Sequence, residues 1–193
     1  MSRKLLLILG HPSTDSYCAA LADAYAEGAR AGGAEVERLN LGEIAFDPVL
    51  RQGYQGEQSL EAGLAQAHSL LTWADHMVFV YPTWWGGAPA LLSGFIERVF
   101  LPGFAFRYRS ESPMPERLLL GKTARLVVTM DSPPWYYRWI MGAPGHRAMQ
   151  KAILEFCGVK LRGVTEVGPV RNSSSQRRVQ WLATVRQLGE RLA

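Results

Sequence analysis

The chain has 193 residues, a formal net charge of +4, 48% hydrophobic residues and 20% charged residues. That balance excludes a disordered chain, and the absence of any run of about 18 apolar residues excludes a membrane-spanning helix. One domain of this length buries about 70% of its unfolded surface, so it needs no disulfide or metal to hold it.

Lys4 to Leu9 is a short continuous apolar run, as in a strand buried on both faces. It is too short for the core of a signal peptide, and Gly10-His11-Pro12 breaks it. A cytoplasmic protein is therefore expected. Tyr17 to Gly32 is a long Ala-rich stretch with Leu21, Tyr25 and Gly28 on one helical face, stopped by Gly32-Gly33. Glu35 to Leu41 reads as a second strand, and the stretch from Gly42 to Gly56 as a loop. Glu57 to Ala74 reads as a polar helix carrying Leu60, Leu64 and Leu71 inward.

Met77 to Tyr81 is a third strand, and Pro89 to Phe100 is a helix with proline in its first turn. Pro102 to Gly121 reads as irregular, Ala124 to Met130 as a fourth strand, and Asp131 to Gly145 as an aromatic, proline-rich loop. A helix from His146 to Phe156 ends at Gly158. Val164 to Val167 is a short fifth strand. The last helix, Ser175 to Leu192, turns Trp181, Val185, Leu188 and Leu192 inward. Buried strands alternating with helices imply one three-layer α/β/α sandwich, residues 1–193, around a five-stranded parallel sheet.

Several chemistries are set aside. Cys18 and Cys157 are too few for a disulfide framework or a zinc site built on cysteine pairs, and they read as small buried thiols. His11, His68, His76 and His146 have no metal spacing, so no metal is expected. There is no Gly-x-Ser-x-Gly elbow, no Walker sequence and no Gly-x-Gly-x-x-Gly. The pI near 9.3 reflects late arginines, Arg171, Arg177, Arg178, Arg186 and Arg191, without a nucleic-acid motif. They read as a solvated helix face.

In a sheet of this kind ligands bind beyond the carboxyl ends of the strands, at a switch point. Three segments lie there. The first, His11 to Cys18, is rich in hydroxyls and enters a helix, which suits either a phosphate or a plain cap made by Ser13 or Asp15. The second, Pro82-Thr-Trp-Trp-Gly-Gly-Ala-Pro89, combines flat aromatic surface with glycines that admit a ligand close to the backbone. It suits a planar heterocycle or the cover of a sheet edge. The third, Asp131 to Trp139, adds four aromatics and two prolines, as a pocket wall or a partner contact.

Four stretches together give the chain a family resemblance. They are His11-Pro12-x-x-x-Ser16-Tyr17-Cys18, the neighbourhood of Asp47-Pro48-Val49, the long run from Tyr81 through Trp84-Trp85-Gly86-Gly87 to Phe100, and Leu154-Glu-Phe-Cys-Gly158. The sequence resembles the flavodoxin-like NAD(P)H:quinone oxidoreductases over residues 4–158. The resemblance implies a flavodoxin-like fold and a flavin. FAD is expected, with FMN as the alternative, and NAD(P)H as co-substrate.

It also implies that His11, Ser16, Tyr17 and Cys18 hold the flavin phosphate, the last two through backbone N–H, with Asp15 turned away to cap the helix. Pro82, Thr83, Trp84, Trp85 and Gly86 would border the ring, and Thr129, Met130 and Asp131 would close its other edge. Tyr136, Tyr137 and His146 are candidates for the nicotinamide and quinone pocket. Arg107 or Arg109 is set against a 2′-phosphate or read as a solvated loop charge.

The expected activity is two-electron reduction of a quinone or similar flat acceptor, by ping-pong kinetics, in a homodimer. The other readings are a flavin-binding regulatory subunit with a membrane-protein partner, an electron carrier, and a flavin-free binding protein. The chain's basic charge disfavours the carrier.

Overall fold

The structure is a computed structural model that describes residues 3–54, 56–110 and 112–191. Five strands form one parallel sheet: β1 (Lys4–Leu9), β2 (Glu35–Asn40), β3 (His76–Pro82), β6 (Thr123–Thr129) and β7 (Lys160–Val167). Their spatial order is β2-β1-β3-β6-β7. The chain leaves β1 toward one edge and returns to the other side of β1 at β3. The switch point therefore lies between the carboxyl ends of β1 and β3.

Period-2 alternation divides the strands between two cores. Leu5, Leu7, Val78, Val80 and Val127 face α1 (Tyr17–Ala31) and α6 (Ser175–Glu190), where Leu21, Tyr25 and Val185 meet them. Leu6, Ile8, Phe79, Leu126 and Val128 face α2 (Ala62–Trp73), α3 (Ala90–Val99) and the helical run over 144–157. Trp181 and Leu188 of α6 pack at the margin of the first core as expected, and Leu192 lies outside the described residues.

Helices α1 and α6 pack backbone to backbone. A Cβ on Gly28 would sit 2.0 Å from the Arg186 carbonyl oxygen, and one on Gly189 would sit 2.3 Å from that of Tyr25. A carbonyl cannot swing away as a side chain does. Gly28→Ala is therefore expected to destabilise the fold by about 2 kcal/mol or more, read as a lower urea midpoint with unchanged slope.

The structure corrects four expectations. First, α2 starts at Ala62 rather than Glu57, because Arg98 of α3 holds the Ser59 carbonyl and the Glu61 carboxylate and keeps the approach extended. Second, the irregular stretch contains an antiparallel hairpin, β4 (Phe106–Arg109) and β5 (Ser112–Arg117), hidden in the sequence by Pro113 and Pro115. Its Arg107 and Arg109 share Glu116 at 3.7 and 3.2 Å. Third, β7 begins at Lys160, four residues earlier than expected, with a bulge opposite Ala124/Arg125.

The fourth correction concerns the aromatic loop and the helix after it. Tyr136–Ile140 forms a π-turn, α4 (Pro144–Arg147) opens the next helix, Ala148–Leu154 is π-helical, and α5 (Glu155–Cys157) ends at Gly158 with φ 95°. Such insertions gather at functional sites. No helix among the described residues is long and apolar enough to cross a membrane.

Candidate active site

The loop after β1 is tied by its own side chains. Ser16, not Ser13 or Asp15, caps α1: its Oγ accepts from Ala19 N–H at 3.2 Å and donates to the Ser13 carbonyl at 2.9 Å. The Asp15 N–H donates to Ser13 Oγ, and Asp15 makes no cap. Ser16 wins because its extended backbone (φ −147°, ψ 159°) precedes the first helical residue.

Ala20 N–H bonds the Ser16 carbonyl, which leaves Tyr17 and Cys18 N–H without partners among the described residues. His11 Nδ1 lies 3.0 Å from the Ser13 amide nitrogen and 2.9 Å from the Ser13 carbonyl, so the ring is held on Ser13 in either tautomer. The loop thus presents the Tyr17 and Cys18 N–H groups, with the His11 ring on the same loop.

The side chains of Tyr17 and Cys18 point elsewhere. Tyr17 donates its hydroxyl to the Arg178 carbonyl at 2.8 Å and packs against Trp181. The Cys18 thiol lies 3.2 Å from Thr129 Oγ1, buried, and burial pushes it up to about 11, so it is no nucleophile.

Helix α6 starts beside α1, capped by Ser174. Arg178, one turn in, bonds Ser173 Oγ and the Val170 carbonyl and lies 5.6 Å over the Tyr17 ring. Two long-helix N-termini and this arginine converge on one corner, a setting for negative charge. Sequence reasoning gave Arg178 to a solvated face. The available signal was the Ser173-Ser174-Ser175 run ahead of it.

The loop after β3 is a tight turn. Trp84 N–H and Gly87 N–H each bond the other's carbonyl at 3.0 Å, and Trp85 and Gly86 at its crest have φ 52° and 78°. Both central residues are left-handed, as in a type I′ turn, which favours Asn-Gly or Gly-Gly. A tryptophan there is strained. Trp85 is also fully exposed and Trp84 about half exposed, so neither covers the sheet edge. The His11 ring meets Trp84 edge to face at 5.8 Å, which joins the phosphate corner to the ring platform.

The turn is riveted from behind. Gly86 O accepts from Tyr137 Oη at 2.8 Å and from Gly145 N–H at 3.0 Å. Tyr137 is buried and its hydroxyl committed, so it positions the turn and does not face a substrate. Removing that hydroxyl in Tyr137→Phe is expected to cost about 1 kcal/mol, since Gly145 N–H still serves Gly86 O; a chemical-denaturation midpoint checks it.

His146 is buried against the Tyr137 ring, with Nδ1 3.4 Å from Glu166 Oε1, and Arg138 pairs with the other Glu166 oxygen. Burial holds the imidazole below its ordinary value. Glu166 pulls the other way, and Arg138 adds a smaller lowering. Glu166 and Arg138 were not found from sequence. Tyr136 remains exposed at the rim.

Beyond β6, the Thr129 carbonyl accepts Thr83 N–H at 2.7 Å, Met130 is buried in backbone bonds to Val167 and Val170, and Asp131 accepts Arg171 N–H at 2.9 Å. Thr129 thus meets the two loops by its carbonyl at Thr83 and its hydroxyl at Cys18, Met130 acts through backbone alone, and the Asp131 carboxylate holds Arg171. His68 packs on Phe104, and His76 is buried beside Thr123. No metal cluster occurs among the described residues.

A riveted aromatic turn beside two helix N-termini, at the switch point of the β2-β1-β3-β6-β7 sheet, defines a class of cofactor-binding α/β proteins. The chain belongs to the flavodoxin-like fold family, whose model matches residues 3–190. It is 28% identical over 162 residues to a protein named as an uncharacterized NAD(P)H oxidoreductase of Haemophilus influenzae, covering 80% of this chain and 78% of that one. It is 27% identical over 208 residues to NAD(P)H dehydrogenase [quinone] 1 of Rattus norvegicus, covering 93% and 74%. The NAD(P)H:quinone oxidoreductase from Methanothermobacter marburgensis shares the fold with a TM-score of 0.84 over 100% of both chains, at 22% identity.

Proposed function

We propose that the protein is a flavin-dependent NAD(P)H:quinone oxidoreductase with FAD as its cofactor. The observation that carries this reading is Trp85, a strained and fully exposed indole in a turn whose Trp84 meets His11 of the helix-capping loop. Strain of this kind persists where a site uses it. The bound flavin would take a hydride from NAD(P)H and pass two electrons to the acceptor.

The residues present fit such a group. Tyr17 and Cys18 N–H, the His11 ring and the α1 dipole suit a phosphate, and Ser16 fixes the loop that aims them. Trp84 and Trp85 offer flat surface to the ring, beside Pro82 and Thr83. The N–H groups of Trp85 and Gly86, at the turn crest, would offer hydrogen-bond donors to a ring bound there. The α6 N-terminus with Arg178 supports FAD over FMN, because it supplies a place for a second phosphate. Tyr137, through Gly86, and Glu166, through His146, hold the wall that shapes the pocket. Tyr136 stands at its mouth.

One pocket serving donor and acceptor in turn gives ping-pong kinetics. A homodimer, expected from the resemblance, would cover the exposed Trp135 and Trp139. Buried, unpaired Cys18 and Cys157 suit the cytoplasm, where NAD(P)H is available.

The test is a visible spectrum of the purified protein before and after anaerobic NADPH or NADH. Bands near about 375 and 450 nm that bleach support the flavin enzyme. Acid release then separates FAD from FMN. A protein that takes up no flavin on reconstitution overturns the reading, and intersecting initial-velocity lines overturn the single pocket.

A further inference from the structure

The amino end of the sheet, opposite the aromatic turn, gathers positive charge outside the candidate active site. His76 opens β3 and Pro82 closes it, so the two ends lie about 20 Å apart at about 3.3 Å per residue. By alternation, Arg3, His76 and Arg125, at the starts of β1, β3 and β6, share a face with Leu5, Val78 and Val127. Tyr25 of α1 covers them. The Arg125 guanidinium lies beside its hydroxyl, and the charge of Arg3 reaches it as well.

The edge strand is built to match. Ala124 pairs with Leu161 and Arg125 with Gly163, which leaves Arg162 as the extra residue of a bulge. Bulges re-aim side chains and gather next to sites. Arg162 is exposed, and its charge falls on His76 together with those of Arg3 and Arg125. A Cβ on Gly163 would lie 3.1 Å from Arg125 Nη1, so glycine is what admits the guanidinium there.

Three buried polar atoms of this cluster have no hydrogen-bond partner: Tyr25 Oη, His76 Nε2 and Arg125 Nε. The Tyr25 and His76 side chains are fully buried. The other ring nitrogen of His76 lies 2.7 Å from Thr123 Oγ1, which fixes the ring. Buried polar atoms left in this way cost free energy until a partner arrives. Neither Arg125 nor Arg162 has an ion pair among the described residues. Asp75, next to His76, accepts the Lys4 N–H at 3.2 Å and lies near Lys122. Like charges gathered without a counter-charge repel, and burial strengthens the repulsion.

We infer that this cluster is an anion site for a tetrahedral oxyanion, either free phosphate or the phosphate end of a small metabolite. Donors arrive from separate elements, with Tyr25 above, Arg125 on the sheet and Arg162 at the open edge. Convergence from different directions suits the four oxygens of a tetrahedron, whereas a flat carboxylate is served by one guanidinium fork. Burial and the charges of Arg3, Arg125 and Arg162 hold the His76 imidazole down to about 3, so the ring is neutral and the arginines carry the charge. The inference does not depend on which cofactor the other end of the sheet holds.

The experiment uses the purified protein saturated with FAD, so that the corner at Tyr17 is filled. It is titrated calorimetrically with inorganic phosphate and, separately, with glycerol 3-phosphate, at an ionic strength held constant with chloride. One site per chain is expected, and the tighter of the two ligands identifies the source. Phosphate about a hundredfold above its Kd is expected to raise the thermal midpoint by about 5–10 °C. Arg162→Ala, an exposed change that leaves the core intact, is expected to weaken binding at least about tenfold, and Arg125→Gln to abolish it. Lys151→Ala removes the same charge from a distant exposed helix and is expected to bind as the parent does.

Phosphate binding that Arg162→Ala and Lys151→Ala weaken equally overturns the inference, since it reports net charge alone. So does a midpoint that phosphate moves no further than chloride, the unpartnered atoms then being served by water. Binding that survives both Arg162→Ala and Arg125→Gln lies elsewhere on the chain and overturns it too. If Arg125→Gln fails to fold, Arg162→Ala decides alone.

Discussion

Glu61→Gln is expected to lower the thermal midpoint by about 10 °C. Arg98 is fully buried in α3, and its guanidinium bonds both Glu61 oxygens, at 3.1 and 2.9 Å, together with the carbonyls of Asp47 and Ser59. Removing one member of such a pair leaves an uncompensated charge in the interior, at about 3–5 kcal/mol. Glu61 is about one-third exposed, so water relieves part of the loss and the lower end, about 3 kcal/mol, applies. For a chain of this size each kcal/mol moves the midpoint by about 2–4 °C.

The same pair sets a pH dependence. The Arg98 hydrogen bonds, and then the Asp47 N–H, hold the Glu61 carboxyl down to about 2, below its ordinary value of 4.5. The fold therefore favours the carboxylate. Its contribution is full above about pH 4.5 and is lost as pH falls toward 2. Acid titration of stability should be shallower across that window in Glu61→Gln; identical acid profiles would show that the pair contributes nothing.

Trp85→Asn is expected to move stability and function in opposite directions. Trp85 holds φ 52° and buries none of its side chain, so its removal exposes nothing and relieves strain. Asn followed by Gly86 is a preferred type I′ pair. A gain of about 1 kcal/mol in urea unfolding of the flavin-free protein is expected. Flavin affinity should fall at least about tenfold, from loss of the flat surface. Equal affinity in the variant would show that the indole is not the platform.

The sheet was legible because its strands are short apolar runs between helical stretches, and parallel strands buried on both faces carry that pattern. The β4–β5 hairpin was not, since Pro113 and Pro115 contradict local strand propensity and the pairing with Phe106, Arg107 and Arg109 holds it. The Trp84–Gly87 turn was legible as a glycine-rich aromatic loop. The support behind it was not: Tyr137 sits 51 residues from Gly86, and Glu166 lies 20 residues from His146. Both are long-range pairings with no local signature. Arg98 shows the same limit, since the helix pattern Ala90–Val99 gives no sign that this arginine turns inward to gather Asp47, Ser59 and Glu61.

The rivet at Gly86 also sets an order of assembly. The crest of the turn lies early in the chain, yet the hydroxyl and amide that fix its carbonyl come from positions 137 and 145. A nascent chain that has emerged only through β3 carries the tryptophans without their anchor. The aromatic turn therefore takes its shape only after the chain beyond β6 has docked. Closing such distant segments is slow compared with forming local helices. Competence to bind a ring would then be among the last properties acquired during synthesis, so an immature chain would leave the cofactor for finished molecules.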